Sequence, residues 1–395
     1  MIYMDNAATT PMSETAKRVF LDTADRFWGN PSSLHTSGQV AAEQLFAARQ
    51  RIAARINADP REITFTSGGS EADNQALLTG ATLGSRKGKK HIVSTKFEHH
   101  AILHALKRLE KQGYEVTLVD VNADGVVRPE DVAAAIREDT ALVSVMFANN
   151  EVGTVQPIAE IGAICREKGV LFHTDAVQAA GHLPIDVKAM NIDMLSLSAH
   201  KFHGPKGVGV LYARRGVFLT NLIEGGAQER GKRAGTENLP GIVSMAAALD
   251  EACEHMQRDG AYMTALRDRL IEGLRQIPHS KLNGDPVKRL PGNVNFCFEG
   301  IEGESLLLLL DDRGIAASSG SACTSGSLDP SHVLLAMGIP HEVAHGSLRL
   351  TLSPEITEAD IDKTVRDVTE VVAYLRDISP VWEELEKGVR QHVIQ

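Results

Sequence analysis

One cysteine stands in a stretch of small polar residues. Cys323 lies within Ser318 to Ser327, SSGSACTSGS, where nothing is bulky enough to bury it. A thiol in that setting is reactive by default, because the thiolate is the nucleophile and must be reachable. Cys165, Cys253 and Cys297 sit instead in helix- or strand-patterned apolar stretches and read as small buried hydrophobes. No C-x-x-C pair occurs, so neither a zinc ribbon nor a redox dithiol is indicated.

Three further motifs follow apolar, strand-like runs. Thr66-Ser67-Gly68-Gly69-Ser70-Glu71-Ala72 opens a helical pattern. Its glycines allow a tight turn, and N–H groups at a helix start, with the Ser70 hydroxyl, would form a phosphate cup. A plain strand-to-helix turn would look similar. Lys201, in SAHKFHGPKG, ends an apolar strand and enters a Gly/Pro turn. A partly desolvated lysine there suits Schiff-base chemistry, although an isolated strand-end lysine is more often a surface residue. Lys206 sits deeper in the turn, where exposure is expected. Asp175, in HTDAVQ, lies at another strand end, where ligands of open α/β sheets gather, and an acid there can pair with a protonated pyridine nitrogen. Cup, aspartate and lysine in one sheet are far more specific together than singly.

Two histidine motifs could suggest a metal. Glu98-His99-His100, with His104, gives an H-x-x-x-H spacing, but no cysteine or carboxylate cluster completes a ligand set. A neutral His99 stacked on a flat ring and moving protons is the favoured alternative. His341-Glu342-Val343-Ala344-His345 matches H-E-x-x-H, yet Pro340 and Gly346 bracket it and a strand pattern follows. The motif needs a continuous helix, so a short turn is expected instead of a zinc site.

These residues need a scaffold, and the chain supplies a patterned one. Strand-like runs at Ile63–Ser67, His91–Thr95, Glu115–Asp120, Ala141–Phe147, Val170–Thr174, Ile192–Ser198 and Val208–Ala213 alternate with helical patterns. Continuous apolar strands alternating with helices predict a mostly parallel seven-stranded sheet covered on both faces. A helical stretch follows from about Leu239 to Arg275, with a break expected at Asp259-Gly260, and then a smaller α+β region. The expected division is a large domain, 12–258, and a small one, 1–11 with 259–395. The small domain carries a mobile cysteine loop at about 318–328.

A length of 395 residues allows two such domains, and 43% hydrophobic with 23% charged residues is ordinary globular composition. A net charge of −10 argues against general nucleic-acid or membrane-surface binding. No apolar run approaches the roughly 20 residues that span a bilayer, and no signal-peptide pattern opens the chain, so a cytoplasmic protein is expected.

Together DNAATTP (Asp5–Pro11), GNPSSLH (Gly29–His35), TSGGSEADN, EHH, ANNEVGT (Ala148–Thr154), HTDAVQ, SAHKFHGPKG, RAGTEN (Arg233–Asn238) and SSGSACTSGSLDPSHVL resemble the cysteine desulfurases, nearest the NifS/IscS-like group. These are fold type I pyridoxal-phosphate enzymes of the class V aminotransferase superfamily, and the likeness runs from Met4 to about Leu375. It implies Lys201 as the Schiff-base lysine, Asp175 on the pyridine nitrogen and Gln178 on the ring oxygen. Gly69, Ser70, Ser198 and His200 would hold the phosphate, and Thr236 would reach the phosphate of a neighbouring subunit in a homodimer. His99 would stack on the ring and move protons. Asn150 and Arg349 would bind the substrate carboxylate, Arg349 as a bidentate fork. The cup reads Gly-Gly-Ser where relatives often carry Ala-Thr or Gly-Thr; Ser70 keeps the hydroxyl.

The resemblance further implies L-cysteine as substrate, with alanine and a Cys323 persulfide as products. An iron–sulfur scaffold or another sulfur-acceptor protein would take the sulfur, for general cluster assembly, nitrogenase maturation or tRNA thiolation. No intrinsic metal is implied; Cys323 would meet a cluster only within a partner complex. Competing readings are a selenocysteine lyase or aminotransferase of the same fold, and a non-catalytic sulfur-assembly scaffold. An aminotransferase has no need of Cys323, and a scaffold none of Lys201 and Asp175.

Overall fold

In the computed structural model, which describes residues 1–319 and 330–394, most of the apolar runs become strands buried on both faces, the edge strand at 115–119 being partly exposed. Most of the expected 318–328 loop, Cys323 included, lies outside the described residues. The strands are β1 (Ile2–Tyr3), β2 (Ile63–Thr66), β3 (His91–Thr95), β4 (Glu115–Val119), β5 (Thr140–Ser144), β6 (Leu171–Asp175), β7 (Met194–Ser198), β8 (Gly209–Ala213), β9 (Ser280–Leu282), β10 (Asn293–Phe298), β11 (Ile315–Ala316) and β12 (Ser347–Thr351). The helices are α1 (Glu14–Arg26), α2 (Thr36–Arg55), α3 (Gly69–Ser85), α4 (His100–Lys111), α5 (Pro129–Ala135), α6 (Ile158–Lys168), α7 (Leu239–Leu274), α8 (Gly303–Asp312), α9 (His332–Ala336), α10 (His341–Ala344), α11 (Glu358–Asp377) and α12 (Pro380–Glu386).

The large sheet has the order β2-β8-β7-β6-β5-β3-β4. Strands β3 to β7 pair in parallel, whereas β8 runs antiparallel to both β2 and β7. Strand β2 therefore shares the direction of β7. The C-terminal ends of β2, β3, β5, β6 and β7 all open on one edge, which is where the sequence motifs lie. The expected mostly parallel seven-stranded sheet is thus present.

A second antiparallel sheet, β12-β10-β9, and a parallel pair, β1-β11, follow. Met4 belongs to the apolar cluster of this region, with Leu270, Phe296, Leu350 and Val371. The N-terminal segment is thereby fastened to the C-terminal part of the chain.

The structure changes two expectations. Helix α7 runs unbroken for 36 residues through Asp259-Gly260. Its Leu239–Leu249 portion is buried in the large-sheet apolar cluster, next to α1 and α2, and its Leu266–Leu274 portion in the second cluster. A glycine in a helix costs only about 1 kcal/mol against alanine, so anchorage at both ends overrides the breaker. His341–Ala344 likewise forms a helical turn, α10, where a plain turn was expected. It ends where the chain joins β10, Phe298 N–H donating to the Gly346 carbonyl, and a Cβ at Gly346 would lie 2.1 Å from the Phe298 carbonyl oxygen.

A Cβ at Gly260 would meet nothing closer than Pro291 Cγ, at 3.8 Å. Gly260→Ala is therefore expected to stabilise the protein by about 0.5–1 kcal/mol in denaturant unfolding. A destabilised variant would show that the helix bends there.

Candidate active site

A cavity of about 380 Å³ opens at the C-terminal edge of the large sheet. Its first wall is the turn from β2 into α3. Gly68 has φ +155°, which favours glycine, and a Cβ at Gly69 would lie 2.7 Å from Val177 Cγ2, so a side chain there would have to displace that methyl. Helix α3 starts with no side-chain cap, which leaves N–H groups and positive dipole character at the wall formed by Gly69 and Ser70. Ser198, which ends β7, and His200 just past it complete this side. Burial, then the Lys201 and Lys206 charges, pushes His200 down to about 4, so its ring is neutral.

Lys201 sits on a short turn, Ala199–Lys201, after β7. Its Nζ donates to the Ala7 carbonyl at 2.5 Å and to the Ala8 carbonyl at 2.8 Å. Gln178 Nε2 donates to the same Ala7 oxygen at 3.0 Å. The motif near the N-terminus thus acts through its backbone. Lys206 is exposed, as its place in the turn predicts.

Asp175 ends β6 and is 6% exposed; its Oδ1 accepts from Val177 N–H at 2.9 Å. Burial pushes its carboxyl up to about 6, against the pull of Val177 N–H and the Lys201 charge. A second buried carboxyl, Asp73 of α3, is electrostatically coupled to Asp175, and its Oδ1 is buried without a hydrogen-bond partner. Burial and the Asp175 charge raise it well above the usual carboxylate range. Two such neighbours cannot both ionise cheaply, so Asp73 keeps the proton. Beneath them His173 bridges Ser144 Oγ at 2.9 Å and Ser196 Oγ at 3.0 Å, and burial drives it down to about 3. Glu98 accepts from Thr95 Oγ1 and Met146 N–H, while burial pushes it up to about 8. This floor offers an ionised Asp175 on otherwise neutral support.

His99 caps α4, its Nδ1 accepting from Ala101 N–H at 3.1 Å. Burial, then the Lys201 charge, pushes it down to about 4. A neutral ring with Nδ1 engaged carries its proton on Nε2. Among the described residues, the cluster that could hold a metal does not include His99, His100 and His104.

Arg349 on β12 reaches the cavity while 2% exposed. Its Nη2 donates to Asp5 Oδ1 at 2.8 Å and its Nη1 to the Asn150 carbonyl at 3.1 Å, while Nε is buried without a hydrogen-bond partner. A carboxylate binding the guanidinium as a fork would use Nε and displace Asp5 from Nη2. Asn150 lines the same side. Among the described residues, Thr236 is the expected site residue that does not line this cavity. It is exposed, beside Ser67 on the outer face of the cup, where Arg233 pairs with Glu71 at 2.9 Å.

Cys165 and Cys297 are buried and pushed up to about 12 by that burial, so neither forms a thiolate readily. Cys253 is only partly buried, more open than its helical pattern predicts. Both described flanks of the Cys323 segment touch the site region. Ser318 exchanges backbone hydrogen bonds with Arg349, and His332 Nε2 donates to the Glu98 carbonyl at 2.9 Å.

Asp73, Glu98 and His173 were legible as motif letters but not as a floor. A signal existed for Asp73, which lies three and four residues before buried Ala76 and Leu77 and so faces inward. The residues fit pyridoxal phosphate. An uncapped helix start faces a phosphate, an ionised acid on neutral support suits a protonated ring nitrogen, and a neutral imidazole and a lysine share the cavity.

The aminotransferase class-V family model matches residues 2–364. Cysteine desulfurase IscS of Clostridium botulinum is 53% identical over 390 residues, 98% of each chain. The Methanosarcina thermophila protein of that name is 52% identical, covering 96% of this chain and 94% of the relative. A solved NifS-like protein superposes with TM-score 0.89 at 37% identity, over 95% of this chain and 100% of its own.

The environment of His99 gives a pH signature. The unfolded ring protonates near 6.5 and the folded one near 4, so the unfolded state binds the extra proton first. The stability this provides is complete above pH 6.5 and is lost as pH falls toward 4. In ¹⁵N-histidine NMR of the cofactor-free chain, His99 should stay neutral with the proton on Nε2 down to about pH 5. Titration near 6.5 would contradict the burial argument.

Proposed function

The chain belongs to the aminotransferase class-V family, and from that premise we propose that it is a cysteine desulfurase. It converts L-cysteine to L-alanine and leaves the sulfur as a persulfide on Cys323. The observation that carries this reading is the meeting of Lys201, Asp175 and the α3 N-terminus in one cavity. Relatives named for the activity at 53% identity over nearly the whole length support it.

Pyridoxal phosphate, when bound, supplies an electron sink for the negative charge that develops at the substrate Cα. Gly69, Ser70, Ser198 and His200 would hold its phosphate, Asp175 its ring nitrogen and Gln178 its ring oxygen. Lys201 would hold the group covalently through Nζ and, once released, take the Cα proton. Asn150 and the Arg349 guanidinium orient the substrate carboxylate, with Asp5 as the group displaced. His99 exchanges protons at Nε2, since Nδ1 is committed to Ala101 N–H. Cys323 Sγ, as thiolate, then attacks the substrate sulfur. The S–S bond forms as the C–S bond breaks, and the Cβ electron pair is protonated to give alanine. High thiol pKa values at Cys165 and Cys297, and the anchoring of Ser318 and His332 at the site, support Cys323 in that role.

Further parts of this reading rest on the same features. The two apolar clusters, bridged by α7, support a large lobe (12–258) and a small one (1–11 with 259–395). Thr236, exposed and tied toward the cup through Arg233, is read as reaching a partner subunit's phosphate in a homodimer. The sulfur acceptor is read as an iron–sulfur scaffold or another acceptor protein. No described helix is long and apolar enough to cross a membrane, which accords with a cytoplasmic enzyme.

The purified protein should be yellow, and Lys201→Ala should lose that absorption and all measurable alanine formation. A variant as coloured as the parent would refute the lysine assignment. Cys323→Ser should keep the colour yet release no sulfide from L-cysteine with a reductant, and mass spectrometry of the parent should find 32 Da added at Cys323, the mass of one sulfur atom. Alanine formation that requires a keto-acid acceptor would point to an aminotransferase instead.

A further inference from the structure

Away from the active site, three side chains of metal-ligand type meet under the C-terminal tail. His279 lies between α7 and β9, Glu299 just past β10, and His392 beyond α12. One ligand atom from each lies within 4.8 Å of the other two. His392 Nδ1 is 3.0 Å from Glu299 Oε2, and His279 Nδ1 is 3.9 Å from the same oxygen. Donor atoms at about 2.0–2.1 Å from a tetrahedral zinc ion stand about 3.4 Å apart, and the two separations straddle that value. The imidazoles stack at 3.7 Å between centroids, 15° from parallel, and turn both Nδ1 atoms toward the carboxylate.

The hydrogen-bond surroundings of Glu299 point the same way. Its side chain is 7% exposed, and it is met by His392 Nδ1–H and by Val393 N–H at 2.8 Å. Arg376, the nearby cation, donates instead to the backbone carbonyls of Glu299, Pro278 and His279. That guanidinium positions the two ligand residues without hydrogen-bonding the carboxylate, and stacks 4.0 Å over Trp382. The Trp382 ring packs edge-on against both imidazoles. A buried carboxylate oxygen with two imidazole nitrogens turned toward it is a donor set that a divalent cation can complete.

We propose that His279, Glu299 and His392 form a binding site for one zinc ion, which fastens the C-terminal tail to the small antiparallel sheet. Two imidazoles and one carboxylate suit zinc and disfavour magnesium or calcium, which prefer oxygen donors. On binding, N–Zn bonds replace the Nδ1–H bonds of His392 to Glu299 and of His279 to the Ile394 carbonyl, the latter 2.6 Å long. The displaced protons pass through solvent to Nε2, so both rings stay neutral. The fourth position falls to water or to the Ile394 oxygen. Glu299 and Arg390 also line a cavity of about 760 Å³, larger than the active-site cavity, so the ion would set one of its walls. His341 and His345 line that cavity too, but among the described residues they do not close into a ligand set.

The test is equilibrium dialysis of chelator-treated full-length protein against Zn²⁺, with bound metal counted. The parent should take up one zinc ion more tightly than His392→Ala and Glu299→Gln, by at least the roughly 10–100-fold that losing even an outer-shell partner costs. A large excess of Mg²⁺ should not displace it. Equal affinity and stoichiometry in the parent and both variants would overturn the proposal. Should a variant fail to unfold cooperatively in chelator, X-ray absorption on the zinc-loaded parent decides. Two imidazoles with oxygen neighbours support the site; sulfur ligation or an all-oxygen shell overturns it.

Discussion

Everything at the sheet edge depends on keeping one buried carboxylate charged. Asp175 sits at the end of β6, where water is largely excluded, and burial alone would neutralise it. Three features oppose that: the Val177 N–H, the Lys201 charge nearby and the proton held by Asp73. The polar floor has a consistent logic. Glu98, Asp73, His173 and His99 are all pushed toward their neutral forms, so the negative charge is concentrated where a ring nitrogen would meet it.

The same constraint explains why the N-terminus belongs to the site. A lysine ammonium beside a half-buried cavity needs acceptors, and the nearest are the Ala7 and Ala8 carbonyls. Their position is fixed by contacts with distant parts of the chain. Asn6 Nδ2 donates to the Thr351 carbonyl, Met4 packs in the C-terminal cluster, and β1 pairs with β11. Arg349, on the strand that carries Thr351, is held by Asp5 of the same segment. Lys201 and the Arg349 guanidinium are therefore positioned by one short stretch of backbone bridging the two apolar clusters.

The sequence by itself determined the chemistry-bearing residues and the sheet that aligns them. Apolar runs at strand length, each followed by a polar motif, can only be satisfied by a buried parallel sheet whose motifs share an edge. Strand β3, for example, has the limits its run predicts. Lys201, Asp175, His99 and the glycine cup are legible as cavity residues because each is a chemistry-bearing type at a strand end. What only the tertiary structure decided are matters of distance in space. The electrostatic coupling of Asp73 to Asp175, the clamp formed by the backbone oxygens of Ala7 and Ala8, and the hold of Asp5 on Arg349 join residues about 100 to 345 positions apart. The continuity of α7 through Asp259-Gly260 was equally invisible, since a local breaker of about 1 kcal/mol is outweighed only by packing at both helix ends.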